Sequence, residues 1–362
     1  MNKQIIVFLG IAQLVLIAFN LIIYGLLLTF FPALGTHKVE VLITVLLLAI
    51  SFLIFSVLTF KYENIVLRIG YKLSSIWLVL GFYFVLASLI ALIIYLLSPI
   101  NLLYYGLAAV FVSSVLTIYG LINARVTRLT KIKISLPNLP AYWKDKSAIM
   151  VSDLHLGQVL RKGFANKIIN LINRESPEIV FIPGDFYDGV HTGFQNLANE
   201  FKKISAPQGI YFCSGNHEMF AGYGQCEQAL RGAGIKILEN QKVEIQGLQI
   251  AGVSYKHDVM PDLSQTLQNI SLDKNKPSVL LKHVPLQLKE VWEAGFNLVL
   301  CGHSHHGQIW PGRLITKRYF KGFDYGLKTF NNLLVYTSSG AGTWGPPMRI
   351  FTKSEVVKII FI

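Results

Sequence analysis

The chain of 362 residues is 52% hydrophobic and 15% charged, with a mean hydropathy of +0.48 and a formal net charge of +13. A soluble enzyme of ordinary composition has about 25% charged residues, so part of this chain belongs in lipid, and a disordered, collagenous or disulfide-scaffold protein is excluded. The charge is unevenly divided: residues 1–124 hold seven of the 53 Lys, Arg, Asp and Glu residues at a net +3, and the rest of the chain stands at +10.

Four stretches, residues 5–30, 41–60, 73–97 and 102–124, reach the roughly 20 apolar residues that a helix needs to cross a hydrocarbon core about 30 Å thick. The first is much longer than the apolar region of a signal peptide, roughly 7 to 15 residues, and further spans come after it, which predicts an uncleaved helix. Lys and Arg are retained on the cytoplasmic side of short loops. With four spans, Lys3, Lys61, Arg68, Lys72, Arg125, Arg128, Lys131 and Lys133 share one face against Lys38 on the other. Both termini are therefore expected on the cytoplasmic side of a cell membrane, crossed several times. Three cysteines, Cys213, Cys226 and Cys301, lack any zinc or CxxC spacing and fit reduced thiols in that compartment. None of the four stretches contains Asp, Glu, Lys, Arg or His, which favours an anchor over an ion or proton pathway. A lipid-binding groove between the helices is the alternative.

Between Arg125 and Lys146, basic residues mix with Pro137 and Pro140 without helical period, so residues 125–145 are expected to form a basic linker. Residues 146–362 then suffice for one α/β domain. Short apolar runs predict strands at 147–151, 179–183, 210–213, 243–245, 248–253, 279–281 and 298–300, with helices at 164–173 and 194–204. The alternating order predicts parallel pairing with right-handed crossovers, and a strand at 356–362 is expected to close an edge.

The chemistry lies in the turns beyond the strands. Asp153, Leu154 and His155 come after the first; Gly184 and Asp185, with Asp188, after the second; Gly215, Asn216, His217 and Glu218 after the third. His283 comes after the strand at 279–281, and Gly302, His303, Ser304 and His305 after the one at 298–300. Ligands bind beyond the carboxyl ends of parallel strands, so these turns are expected to converge on one cleft. Carboxylates and imidazoles without thiolates suit Mn, Fe or Zn in a non-structural site. Asp153 and His155 can reach one ion if the turn leaves extended geometry just after the strand. The two oxygens of Asp185 allow it to bridge ions about 3.5 to 4 Å apart. Glycines before Asp185, Asn216 and His303 permit tight turns.

The ordered set DLHLG, GDFYDG, GNHE, His283 and GHSHHGQ resembles the calcineurin-like metallophosphoesterase superfamily, and the closing SSGAGTWGPPMRIF resembles its small bacterial phosphodiesterase branch. The resemblance implies a four-layer αββα domain behind the transmembrane region. It implies one ion held by Asp153, His155, Asp185 and His305, and a second held by Asp185, Asn216, His283 and His303. It further implies a bridging hydroxide as nucleophile, His217 as general acid and Asp188 as the carboxylate that orients it. Glu218 stands where many members have Asp, a change expected to be harmless, and His306 stands where the related pattern has Gly.

Arg161 and His306 are candidates for meeting substrate, with Lys162 beside Arg161, against a solvated helix start and a solvent-facing ring as the plain readings. Basic Arg313, Lys317, Arg318 and Lys321 interleave with Tyr319, Phe320, Phe323 and Tyr325, a surface suited to lipid headgroups or a plain basic loop. His37, His191 and His257 have no motif around them. No nucleic-acid-binding motif accompanies the positive charge, and nothing points to a protein partner. The expected function is an integral-membrane phosphoesterase with two divalent ions, acting on a phosphodiester that a membrane lipid carries. Alternatives are a lipid- or nucleotide-linked phosphomonoesterase or pyrophosphatase, and a non-catalytic membrane scaffold.

Overall fold

The computed structural model describes residues 3–189 and 193–362; His191 lies outside them. The chain divides into two compact units, Met1–Ile122 with Gly345–Met348, and Asn123–Trp344 with Arg349–Ile362.

The first unit is built from α1 (Lys3–Phe30), α2 (Lys38–Lys61), α3 (Ile65–Leu97) and α4 (Leu102–Ala124). Each is long and apolar enough to cross a membrane. Ile23, Phe30, Phe84, Ala91 and Ala109 form its buried core, and Trp77 Nε1 donates to the buried Asn20 Oδ1 at 3.0 Å. Two of the helices run beyond the apolar stretches and take charged residues into their ends. Asn64 caps α3 by accepting the Val66 N–H at 2.7 Å, so the helix starts eight residues before position 73 and takes Arg68 and Lys72 into its first turns. Likewise α2 includes Lys38, Glu40 and Lys61. Hydropathy marks the lipid-facing length, whereas capping sets the helix ends.

The second unit opens with β1 (Thr127–Ile134), β2 (Ser147–Met150), α5 (Lys162–Arg174), β3 (Ile179–Pro183), α6 (Phe194–Glu200) and β4 (Ile210–Cys213). Then come α7 (Asn216–Ala221), α8 (Tyr223–Gly232), β5 (Lys236–Ile237), β6 (Gln241–Ile245), β7 (Leu248–Gly252), α9 (Tyr255–Asp258) and α10 (Leu263–Asn269). Last are β8 (Ser278–Leu281), α11 (Leu288–Ala294), β9 (Leu298–Cys301), α12 (Gly312–Tyr319), β10 (Gly326–Phe330), β11 (Leu333–Thr337) and β12 (Ser354–Phe361). Two six-stranded sheets result, ordered β1-β12-β2-β3-β4-β5 and β10-β11-β9-β8-β7-β6. Met150, Phe181, Cys213, Leu281 and Leu300 belong to the fully buried core that joins them. On the outer face of the first sheet, α5 buries Ala165, Ile168, Ile169 and Ile172, a helical stripe at spacings of three and four. Leu263, Leu267 and Val291 of α10 and α11 cover the second sheet. The layers are helix, sheet, sheet, helix.

The expected linker is instead a strand. β1 pairs in parallel with β12 over its whole length, from Thr127 with Ser354 to Ile134 with Phe361. Its second half alternates with a period of two: Lys131 and Lys133 are exposed while Ile132 is half-buried and Ile134 buried. For the same reason β12 does not close the edge. It lies between β1 and the antiparallel β2, and β1 is the outer strand.

Candidate metal centre

The parallel strands β2, β3, β4, β8 and β9 end together, and their turns are tied to one another by backbone hydrogen bonds. Asp153 N donates to Gly184 O at 3.2 Å and His155 N to Asp185 O at 3.1 Å, lacing the turn after β2 to that after β3. Gly302 N donates to His283 O at 3.0 Å, which laces the turns after β8 and β9. The glycine-rich closing segment covers the first turn, with Ala341 N on Ser152 O at 2.9 Å and Gly342 N on Asp153 O at 2.8 Å.

Asp153 and His155 leave extended geometry just after β2. Their φ angles are 52° and 46°, and Asp185, His303 and His305 also adopt positive φ, at 52°, 70° and 47°. Non-glycine residues are uncommon there, and clusters of such strained backbone occur at functional sites. Asp153 and His155 enter one cleft, with Leu154 between them buried in the apolar core.

Three clusters of donor atoms result, each with its ligand atoms within 4.8 Å of one another: Asp153, His155 and His305; Asp185, His283 and His303; and His155, Asp185 and His217. His155 Nε2 lies 2.9 Å from His305 Nε2 and 3.7 Å from Asp185 Oδ2. His305 Nε2 is 3.5 Å from Asp153 Oδ1. On the other side, His283 Nε2 is 3.2 Å from both Asp185 Oδ2 and His303 Nδ1. Backbone bonds fix the carboxylates: Asp153 Oδ1 accepts the His303 N–H at 2.9 Å, and Asp185 Oδ1 accepts the His217 N–H at 3.0 Å. His283 Nδ1 lies 2.9 Å from Pro183 O, which directs its Nε2 toward Asp185. Asn216 Oδ1 is buried with no hydrogen-bond partner. Such an atom is costly unless a cation or water meets it.

Burial is the largest influence on these groups. It pushes the Asp153 carboxyl up, His283 opposes it and Asp185 adds to it, leaving about 6. At Asp185 burial is outweighed by His283, His217 and His155, which hold the carboxyl well below its usual range. His155 and His305 are held far below the ordinary imidazole value by burial and by neighbouring imidazoles, and His303 falls to about 3 through burial and His283. At His283 the pull of Asp185 exceeds the burial penalty and gives about 9. Ionised Asp185 and neutral His155, His303 and His305 are in the protonation state that divalent-metal ligation requires, whereas His283 holds a proton that a bound cation would displace. The donor set fits divalent metal ions.

His217 is buried beside His155, ring centroids 4.5 Å apart at 83°. His217 Nδ1 is buried without a hydrogen-bond partner. Asp188 Oδ2 accepts the Gln158 N–H at 2.6 Å, in a turn where Gly157 has no Cβ to keep the carboxylate away. Arg161 is exposed at the N-cap of α5. His306 does not project freely: it stacks on Tyr325 at 4.3 Å and 13°, with Asp324 Oδ2 at 4.0 Å.

Sequence reasoning named Glu218 without giving it a role and passed over Arg349 and Lys282. The Glu218 carboxylate accepts the N–H groups of Asp185, Tyr187 and Gly215 at 3.1, 3.0 and 2.8 Å, bolting two of the turns together. Arg349 is fully buried, with NH2 donating to Ser339 O at 2.6 Å and Gly342 O at 2.7 Å, and NH1 to His305 O at 3.2 Å. Lys282, also fully buried, pairs with Asp258 just before His283. A lone Arg or Lys inside an apolar run was the available signal, because a buried charge requires partners.

The sequence profile described as calcineurin-like phosphoesterase matches residues 147–307. An uncharacterised metallophosphoesterase of Campylobacter jejuni is 33% identical over 258 residues, which cover 69% of this chain and 67% of that one. One from Aquifex aeolicus is 32% identical over 256 residues, covering 68% of this chain and 96% of its own. A Danio rerio transmembrane protein with metallophosphoesterase domain is 26% identical over 274 residues, or 70% of this chain and 61% of that one.

Proposed function

Since the chain belongs to the calcineurin-like metallophosphoesterase family, a family of metal-dependent phosphoric ester hydrolases, we propose that it is an integral-membrane phosphodiesterase with two divalent ions whose substrate is carried by a membrane lipid. The observation that supports this most is the place of Asp185, shared between a cluster holding His155 and a cluster holding His283 and His303. One carboxylate facing two sets of imidazoles is what a bridging ligand looks like.

Asp153, His155 and His305 would hold one ion, His283, His303 and Asn216 the other, and Asp185 both. When bound, a pair of Mn, Fe or Zn ions supplies Lewis acidity and lowers the pKa of water to give a nucleophile at neutral pH. The protein's own part is to fix these donors against reorganisation, through the laced turns and the Glu218 bolt, and to keep His155, His303 and His305 neutral. His217, whose Nδ1 is enclosed, has Nε2 left to hold the proton that the leaving oxygen takes.

A lipid-borne substrate gives the four apolar helices a purpose, since anchoring raises the effective concentration of anything already in the bilayer plane. The eight-to-one basic asymmetry supports both termini and the hydrolase unit on the cytoplasmic side. Alkaline phosphatase fused after Ile362 should then be inactive in a bacterial host and a fluorescent protein there should glow; the reverse pattern moves the substrate to the other side. The substrate reading is tested by a panel of phosphate mono- and diesters, phospholipids included, offered to the detergent-purified chain with Mn. Hydrolysis of lipid-linked diesters ahead of soluble nucleotides supports it, and a soluble nucleotide preferred over every lipid overturns it.

A further inference from the structure

Helix α12 inverts the burial rule of a soluble helix, in which large apolar side chains turn toward the core. Here the side chain turned inward is Thr316, whose Oγ1 lies 3.2 Å from Arg313 O and 3.4 Å from Asp324 Oδ2. Leu314, Ile315 and Tyr319 are 61%, 70% and 64% exposed. Among the described residues of the second unit, only one other large apolar or aromatic side chain exceeds 60% exposure, Trp344 at 61%. Three of four such side chains on one eight-residue helix are not the scattered exposure that any surface tolerates.

The same helix carries Arg313, Lys317 and Arg318 and no acidic residue. Residues three and four apart are neighbours on a helix surface, so Leu314 stands between Lys317 and Arg318, with apolar and cationic side chains interleaved around the outward face. That mixture suits the boundary of an anionic leaflet, where apolar groups enter the acyl margin while Lys and Arg meet phosphates. A protein groove, by contrast, takes a segregated apolar stripe. The helix is also joined to the candidate centre. Phe320, which ends it, is 5% exposed, and its ring meets that of His303 edge-on at 6.1 Å. The exposed Trp344 lies 6.5 Å from the His217 ring.

We propose that α12 is a bilayer-docking helix, inserting Leu314, Ile315 and Tyr319 into the headgroup boundary of an anionic leaflet so that the candidate centre opens onto lipid phosphates. This rests on the membrane anchoring proposed above, which tethers the unit closely: α4 ends at Ala124 and β1 begins at Thr127.

The test uses the full chain reconstituted in vesicles of phosphatidylcholine with about one third phosphatidylglycerol. Cys213, Cys226 and Cys301 are all buried, so a nitroxide can be attached selectively to Ile315→Cys, to Tyr319→Cys, or to Lys289→Cys at an exposed control site. Docking predicts that the labels at 315 and 319 are several-fold more accessible to oxygen than to a water-soluble nickel complex, that the label at 289 shows the opposite order, and that the contrast weakens in pure phosphatidylcholine. Labels at 315 and 319 as accessible to nickel as the one at 289 overturn docking, whatever the activity. Immersed labels in a protein that hydrolyses no vesicle-borne ester leave docking standing and refute the lipid-substrate reading alone.

Discussion

Gly215 stands against Asp185 more tightly than any side chain permits. Its φ of −107° is open to every residue, so a substitution there acts through space alone. A Cβ at Gly215 would lie 2.2 Å from Asp185 Oδ1 and 2.6 Å from the Asp185 backbone nitrogen. The carboxylate can rotate away at the loss of its bridging position, but the nitrogen is main chain, about 0.8 Å inside the 3.4 Å at which ordinary contact begins. Relief therefore moves the turn after β3 or the start of α7 by most of an ångström. Overpacking of this kind costs about 1–3 kcal/mol, and a displacement near 1 Å in a catalytic constellation costs about 10²-fold in rate. Gly215→Ala should thus lose about two orders of magnitude in kcat toward bis(p-nitrophenyl) phosphate with Mn, bind less metal by elemental analysis, and melt at lower temperature. Gly224→Ala is the matched control, because nothing lies within 4 Å of its Cβ and a helical glycine gains up to about 1 kcal/mol on becoming Ala. A Gly215→Ala protein with full metal content and activity within threefold of the parent would refute the account of how Asp185 is held.

His217→Ala should keep its metal and lose about 10²- to 10⁴-fold in rate, with the loss shrinking for nitrophenyl esters whose leaving group needs little protonation; equal losses for good and poor leaving groups would remove the acid role. Glu239, whose carboxylate accepts Ser214 N and Oγ at 2.9 and 3.2 Å, is raised to about 7 by burial and by Glu218. The folded state then binds a proton that the unfolded chain has released, so this group's stabilisation is complete below its ordinary value near 4.5 and is lost as pH rises through about 7, at up to about 1.4 kcal/mol per unit. Glu239→Gln should gain in melting temperature over the parent between pH 5 and pH 8; a difference that stays flat with pH would refute this.

The paired layers and the convergence of the turns were legible because the second unit's strands are short apolar runs with chemistry at their carboxyl ends. What sequence left hidden has physical causes. β1 reads as a linker because an edge strand needs less burial than a central one, so Lys131 and Lys133 occupy positions that a central strand would fill with Val or Ile. The start of α3 at Ile65 is set by the Asn64 cap, which hydropathy ignores. The seven candidate ligands were named from motif and order, but the positive φ at five of them was not foreseen, since backbone strain leaves its trace in coordinates rather than in residue type. The bond from the Gln158 N–H to Asp188 Oδ2 was equally invisible, because where a loop aims a backbone donor leaves no mark in residue type.

The central claim is that Asp185 joins two metal sites into one centre. It is tested most directly by counting ions in the purified chain and in Asp185→Asn, by elemental analysis after dialysis against trace Mn, with hydrolysis measured on the same samples. The parent should hold two ions per chain, and Asp185→Asn should lose both together with its activity. Two bound ions in an active Asp185→Asn protein would contradict the bridge, and one ion per chain in a fully active parent would contradict the pair.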